Sequence, residues 1–223
     1  MEYKNIVKGT FIKRPNRFIA HVLIDGKVEI CHVKNTGRCK ELLIPDTTVF
    51  LEKSSNPLRK TAFDLISVYK GDRLVNMDSQ APNKVACEWL KNRFPHAFIK
   101  SEKVWEDSRF DFYIENGEDR IFVEVKGVTL ENNGVALFPD APTARGVKHL
   151  NGLARWATEG NKAMVLFIIQ MNGIKYFTPN KETHPEFAEA LAKAKEQGVK
   201  VVAVGCEVGE NTLTYDKEIE IKF

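Results

Sequence analysis

Two runs near the C-terminal end, "KAMVLFIIQ" (162–170) and "VKVVAVGCEV" (199–208), are almost wholly apolar. A strand reads this way when both of its faces are covered, as in a parallel sheet packed between helices. Between them, "HPEFAEALAKAKEQG" (184–198) repeats its apolar residues at helical spacing and closes on Gly198. Strand, helix, strand of this kind is a crossover connection and predicts parallel pairing. Upstream, "TARGVKHLNGLARWATEG" (143–160) puts Leu150, Leu153 and Trp156 on one helical face. "SQAPNKVACEWLKNRF" (79–94) reads as another helix, with Pro82 in its first turn and Val85, Trp89 and Leu90 at helical spacing. Strands are expected over 97–105, 109–115 and 120–130. Residues 81–223 therefore predict a mixed-sheet α/β domain.

The first third follows a different rule. "IVKGTFIK", "RFIAHVLI" and "KVEICHV" are short strands, broken at Pro15-Asn16 and Asp25-Gly26. "NTGRCKELLIP" (35–45) offers a helix of about two turns ending before Pro45. "TVFLEKS", "TAFDLISVYK" and "RLVNM" follow as strands. Three strands, a short helix and two or three more strands suit a small closed barrel of the OB type over residues 1–80. The fold class expected for the chain is thus α/β (α+β), with a boundary near residues 76–82.

Composition narrows the classes of function. No apolar stretch approaches a membrane span, and "MEYKNIVKGT" lacks an apolar signal region. Cys31, Cys39, Cys87 and Cys206 have no C-x-x-C spacing, so reduced, packed thiols in a cytoplasmic protein are expected. Residues 1–80 hold 14 Lys+Arg against 9 Asp+Glu, and residues 81–223 hold 19 against 21. The first part is the better candidate for a phosphate-facing surface, although a merely solvated surface fits the same charge. The five histidines form no H-x-x-x-H pair, and no Walker A, G-x-S-x-G or Rossmann glycine pattern occurs.

The most informative stretch is "RFDFYIENGEDRIFVEVKG" (109–127). Its turn lies in "ENGED", because Asn116-Gly117 tolerates positive φ. A loop centred between Gly117 and Glu118 makes Asp111 the cross-strand partner of Glu124, with Lys126 two residues on along the same face. Two facing carboxylates repel unless something positive lies between them. A Mg²⁺ (or Mn²⁺) ion held by Asp111, Glu124 and the Val125 carbonyl meets that need, with Glu88 on the preceding helix as a further carboxylate. Such an ion polarises a phosphodiester and acidifies bound water, and Lys126 would orient the attacking water or stabilise charge on phosphorus. The same residues also suit an exposed hairpin whose charges are solvated or paired with Arg109 and Lys103. A loop of three or five residues would put Asp111 and Glu124 on opposite faces.

A helix glutamate, a strand aspartate and then E-x-K resemble the PD-(D/E)xK nuclease core. "HVKNTGRCKELL" (32–43), "SRFDF…VEVKGVTL" (108–130) and "FPDAPTARGVKHLNGL" (138–153) together resemble the sugar fermentation stimulation protein A family over essentially the whole chain. The resemblance implies an OB-type barrel joined to a nuclease-like domain, in a DNA-binding protein linked to sugar, particularly maltose, utilisation. It puts Asp111, Glu124, Lys126 and Glu88 in the catalytic and metal-holding positions. It places Asn35, Thr36, Gly37 and Arg38 in the barrel motif, and Thr143, Arg145, Gly146 and His149 in the second-helix motif. Met171 departs from the pattern, since family members often carry arginine after the glutamine.

The nucleic-acid contacts expected are Asn35, Thr36, Gly37, Arg38 and Lys40 at a phosphate-binding turn, together with Arg109, Arg145, Lys148 and His149. An ordinary turn and a solvated helix face are the competing readings. Phe18, Phe50 and Phe63 are stacking candidates, with core packing expected for most of them. The partner expected is DNA bound with low sequence specificity, because no segment reads as a major-groove recognition helix. Two functions remain open, a Mg²⁺-dependent nuclease and a non-enzymatic DNA-binding regulator; an RNA-directed nuclease is a weaker third.

Overall fold

The computed structural model describes residues 1–35 and 37–223. Its first six strands are β1 (Ile6–Asn16), β2 (Ile19–Ile24), β3 (Lys27–Val33), β4 (Thr48–Lys53), β5 (Phe63–Lys70) and β6 (Arg73–Asn76). The antiparallel order β3-β2-β1-β4-β5 closes on itself because β3 also pairs with β5 in parallel, Cys31 opposite Phe63 and Val33 opposite Leu65. This is a five-stranded barrel with β6 added beside β5. Alternation fills it: Phe11, Ala20, Val22, Cys31, Val33, Val49, Leu51 and Leu65 are buried. Asp25 and Gly26, both at positive φ, form the two-residue loop between Ile24 and its partner Lys27.

The helix expected over 35–45 does not form. Cys39 stands at φ 45°, outside the right-handed helical region, and the N–H groups of Leu42 and Leu43 both return to its carbonyl, giving a single turn. The Arg14 guanidinium accounts for part of this. Besides the Arg17 carbonyl (2.7 Å), it donates to the carbonyls of Asn35 (2.6 Å), Gly37 (2.8 Å) and Arg38 (2.8 Å), groups that a helix would use internally.

The second part contains α1 (Ala81–Arg93), β7 (Phe98–Trp105), β8 (Ser108–Asn116), β9 (Asp119–Val128), β10 (Leu130–Asn132), β11 (Val135–Phe138), α2 (Ala144–Thr158), β12 (Lys162–Ile169), β13 (Tyr176–Pro179), α3 (Pro185–Glu196), β14 (Val199–Val208) and β15 (Leu213–Glu218). The main sheet runs β15-β14-β12-β9-β8-β7; β12 and β14 are parallel, as the crossover argument required, and β9 joins them in parallel on the other side of β12. Val85, Trp89 and Leu90 of α1 pack on Val123, Val125 and Leu166 from one face. Leu150, Leu153 and Trp156 of α2 pack with Phe122, Val165 and Phe167 on the other. The small sheet β10-β11-β13 and the edge strand β15 went unanticipated. The signal for β10–β11 was present in "NNG": Asn133 and Gly134 both take positive φ at its two-residue turn.

No described helix is long and apolar enough to cross a membrane. All four cysteines are free; burial pushes the Cys31, Cys39 and Cys206 thiols up to about 12. Phe50 and Phe63 lie in the core, whereas Phe18 is 55% exposed.

Buried polar side chains help join the barrel to the α/β domain. Gln170, just after β12, donates to the Asn76 side chain (2.9 Å) and the Asp78 carbonyl (3.0 Å). Met171 beside it is buried and bridges to Val75 of the barrel, so this position serves packing here. Glu131 on β10 takes Lys70 at 2.9 Å and Arg73 at 2.7 Å from the barrel. Burial alone would raise its pKa, but Lys70, the Gly134 N–H and Arg73 outweigh that and hold it at about 2. Glu131 therefore adds stability that is complete above its unfolded value near 4.5 and is lost as pH falls towards about 2. Glu131→Gln should lower stability by about 2 kcal/mol at pH 7 and flatten the acid limb of a urea-denaturation profile between about pH 4.5 and 2. An unchanged acid limb would show that this pair does not couple the domains.

Candidate functional site

The hairpin β8–β9 turns through Gly117, at φ 64°, with Asn116 paired to Asp119 and Phe112 to Val123. The expected register is therefore present. The ladder stops one step short of Asp111, however, and the reason lies in its neighbours. Phe110 belongs to the α2-side core and Phe112 to the α1-side core, although alternation should put both on one face. On the other edge of β8, pairing passes from Ser101↔Phe112 to Lys103↔Phe110, with Glu102 between them at φ 52°. Asp111, opposite Glu102, thus drops out of the pairing on both of its edges, with the β7 register unchanged on either side of it. Its carboxylate accepts the Val125 N–H at 2.8 Å and the Asn83 side chain of α1 at 2.9 Å. Asp111 thus takes up the N–H that the parting strand leaves behind.

Glu124 is 3% exposed, in the middle of the sheet. Its two oxygens are treated differently. Oε1 accepts from Lys126 at 2.5 Å and from His149 Nδ1 on α2. Oε2 is buried with no hydrogen-bond partner. Arg145 Nε donates to the far ring nitrogen, His149 Nε2, at 3.4 Å. An arginine N–H only donates, so Nε2 accepts and the ring proton sits on Nδ1, facing Glu124. Burial would raise the Glu124 pKa, but the His149 bond and Lys126 outweigh it and hold the carboxyl below its ordinary value. Asp111 moves the other way, raised by burial and by the nearby Glu124 charge.

Gly127 explains how α1 reaches this strand. A β-carbon there would stand 2.6 Å from Gln170 Oε1 and 2.7 Å from Pro82 Cγ. The glycine after Lys126 therefore permits the first turn of α1 to lie against β9, which brings Asn83 to Asp111. Beside it opens a cleft of about 330 Å³ between the domains, lined by Asn35 and Gly37 of the barrel, Pro82, Gly127, Gln170 and the 138–143 loop.

Several expected site residues lie elsewhere. Glu88 is exposed and bonded to the Met1 ammonium at 3.2 Å. It is five residues beyond Asn83, a rotation of about 140° along a helix, so it faces away when Asn83 faces Asp111. His149 is 4% exposed and serves Glu124, leaving it unable to lie on a phosphate track. Lys148 turns to Asp107 (3.2 Å), and Arg109 to Glu102 (3.6 Å). Arg145, Arg38 and Lys40 are exposed; Asn35 is half-buried and caps its own turn through the Gly37 N–H at 2.7 Å. Thr36 lies outside the described residues. Val125 enters the site through its N–H to Asp111. Asn83 and Gly127 went unrecognised; only the glycine following E-x-K hinted at a close approach.

Among the described residues, no group of three or more His, Cys, Asp and Glu converges as a ready-made metal cluster. What the site offers is two carboxylates, one with a buried unpartnered oxygen, which suits a hard, oxygen-seeking divalent cation that completes its shell with water.

A closed OB-type barrel followed by a mixed α/β domain with a buried carboxylate–lysine site defines a two-domain class. The sugar fermentation stimulation protein RE domain model matches residues 80–212, and the SfsA N-terminal OB domain model matches residues 12–77. The chain belongs to this sugar fermentation stimulation protein (SfsA) family. It is 56% identical over 225 residues to a sugar fermentation stimulation protein homolog of Ruminiclostridium cellulolyticum, covering 100% of both chains. It is 58% identical over 224 residues to one from Desulfitobacterium hafniense, covering 100% of this chain and 98% of the relative. The structure of Pyrococcus furiosus SfsA in complex with Ca²⁺ superposes with a TM-score of 0.89 at 29% identity, covering 100% of this chain and 98% of that one.

Removing the imidazole leaves Glu124 short of a partner in a dry environment. His149→Ala should cost about 3 kcal/mol in urea denaturation. Combined with Glu124→Gln, the losses should fall well short of additive. Additive losses would mean that the two side chains do not share a hydrogen bond.

Proposed function

We propose that this protein binds DNA and carries a divalent-metal phosphodiesterase site built on Asp111, Glu124 and Lys126. One observation carries the reading: a sheet-centre glutamate has one oxygen held by His149 and Lys126 and the other buried without a partner, beside a second carboxylate. That arrangement costs free energy unless a cation completes it. Asp111 and Glu124 Oε2 would hold Mg²⁺ or Mn²⁺, which supplies a polarised phosphoryl oxygen and a water of lowered pKa. The residues around it have defined tasks. Asn83 and the Val125 N–H orient Asp111, while His149, itself oriented by Arg145, fixes the rotamer of Glu124. Lys126, its amine at Glu124, is the cation available to a phosphate at the strand end and to the charge that grows on it. The strand aspartate followed by E-x-K agrees with the PD-(D/E)xK resemblance. The Pyrococcus furiosus relative was solved with Ca²⁺, another hard divalent ion.

A second reading has one observation in its favour. With Glu88 turned to Met1, the site keeps two carboxylates rather than three. In that reading the chain is a DNA-binding regulator of sugar metabolism that retains the nuclease fold as scaffold.

Incubation of single-stranded DNA, double-stranded DNA and RNA with Mg²⁺ or Mn²⁺ separates the two. The wild type should cleave a DNA substrate, and Lys126→Ala should be slower by about 10²–10³-fold. If nothing is cut, or if the variant cuts as fast, the scaffold reading stands.

A further inference from the structure

The barrel carries a second concavity of about 380 Å³ whose rim includes Lys13, Arg17, Arg38 and Lys40. All four side chains are exposed. None of them takes part in the ion pairs found among the described residues. Four cations without ion-pair partners around one groove form a cationic surface suited to a polyanion, and Arg14, bonded to the carbonyls of the loop beneath it, braces the groove. Phe18, 55% exposed, follows Arg17 and offers a stacking face next to the charge.

The groove does not end on the barrel. Gly37 lines both it and the interdomain cleft, and Gly127, immediately after Lys126, lines the far side of that cleft. The walls are close at both places. A β-carbon at Gly37 would meet Asp140 Oδ2 at 2.8 Å, and one at Gly127 would meet Pro82 at 2.7 Å. At about 330 Å³ the cleft is at the small end of ligand pockets, enough for about one nucleotide unit and too small for a base-paired step. The exposed Asp140 carboxylate on its wall repels phosphate, which favours presentation of a base or sugar there and of phosphates on the basic groove.

We infer that the substrate of the proposed site is a single strand of nucleic acid. Its backbone lies along the Lys13–Arg17–Arg38–Lys40 groove, and one nucleotide at a time passes through the interdomain cleft to Lys126. This inference rests on the proposed phosphodiesterase reading for its endpoint, while the groove itself is testable without cleavage. Binding to the barrel is governed by phosphate charge and stacking, so it depends on salt more than on sequence.

The test uses the full chain and fluorescent DNA of about 20 nucleotides, either single-stranded, blunt duplex or duplex with a single-stranded tail. Anisotropy in EDTA reads binding, and Mn²⁺ addition reads cutting. Single strands should bind about tenfold more tightly than blunt duplex, Lys13→Glu/Arg17→Glu should abolish that preference, and cutting should require a free strand or tail. Equal binding and equal cutting of blunt duplex would overturn the single-strand path and leave the phosphodiesterase reading intact. Groove-dependent single-strand preference without any cutting would uphold the path on the barrel and remove the phosphodiesterase reading. Preference that survives the double variant would place the strand somewhere other than the groove.

Discussion

Glu124 is a carboxylate held charged in the interior of a sheet, and much of the α/β domain is arranged around that fact. An isolated buried charge costs several kcal/mol, so it persists only where partners are built in. Here the partners come from two places. Lys126 is supplied by the same strand and His149 by the helix that covers that face. The helix α2 is thereby tied to the sheet at one polar point within an otherwise apolar contact of Leu150, Leu153 and Trp156. Arg145 at its first turn fixes the imidazole, so the entry of α2 and the rotamer of Glu124 are one structural decision.

The barrel and the α/β domain meet where side chains are absent. Gly37 and Gly127 allow the barrel loop, the 138–143 loop and the first turn of α1 to approach one another, and the buried Gln170–Asn76–Asp78 bonds hold that approach. The consequence is functional geography. The three longest distinctive stretches of the chain, around Asn35, Lys126 and Thr143, are far apart in sequence and border one cleft.

Much of this was legible from the residues. Apolar runs covered on both faces predicted the parallel β12 and β14, and the midpoint of the hairpin predicted that Asp111 would stand by Glu124. What could not be read was where regularity breaks. Period-two alternation gives no warning that Phe110 and Phe112 lie on opposite faces, because both are simply apolar. The helix expected at 35–45 failed for a tertiary reason, the claim of Arg14 on its carbonyls. Glu88 fits the helix position of the nuclease pattern by residue type, yet its carboxylate is turned to the Met1 ammonium. The position that reaches Asp111 is Asn83, and which face of α1 meets the hairpin depends on Gly127 admitting Pro82. His149 was singled out for the right helix and the wrong task, since burial and not residue type assigns it to Glu124.

The central claim is that the protein satisfies one oxygen of Glu124 and keeps the other for a cation shared with Asp111. Crystals of the wild type and of Glu124→Gln soaked in Mn²⁺ and measured at the manganese edge test it most directly. The account predicts an anomalous peak bridging Asp111 and Glu124 in the wild type and none in the variant. A wild-type site with no peak, or a peak that persists undiminished in the variant, would contradict it.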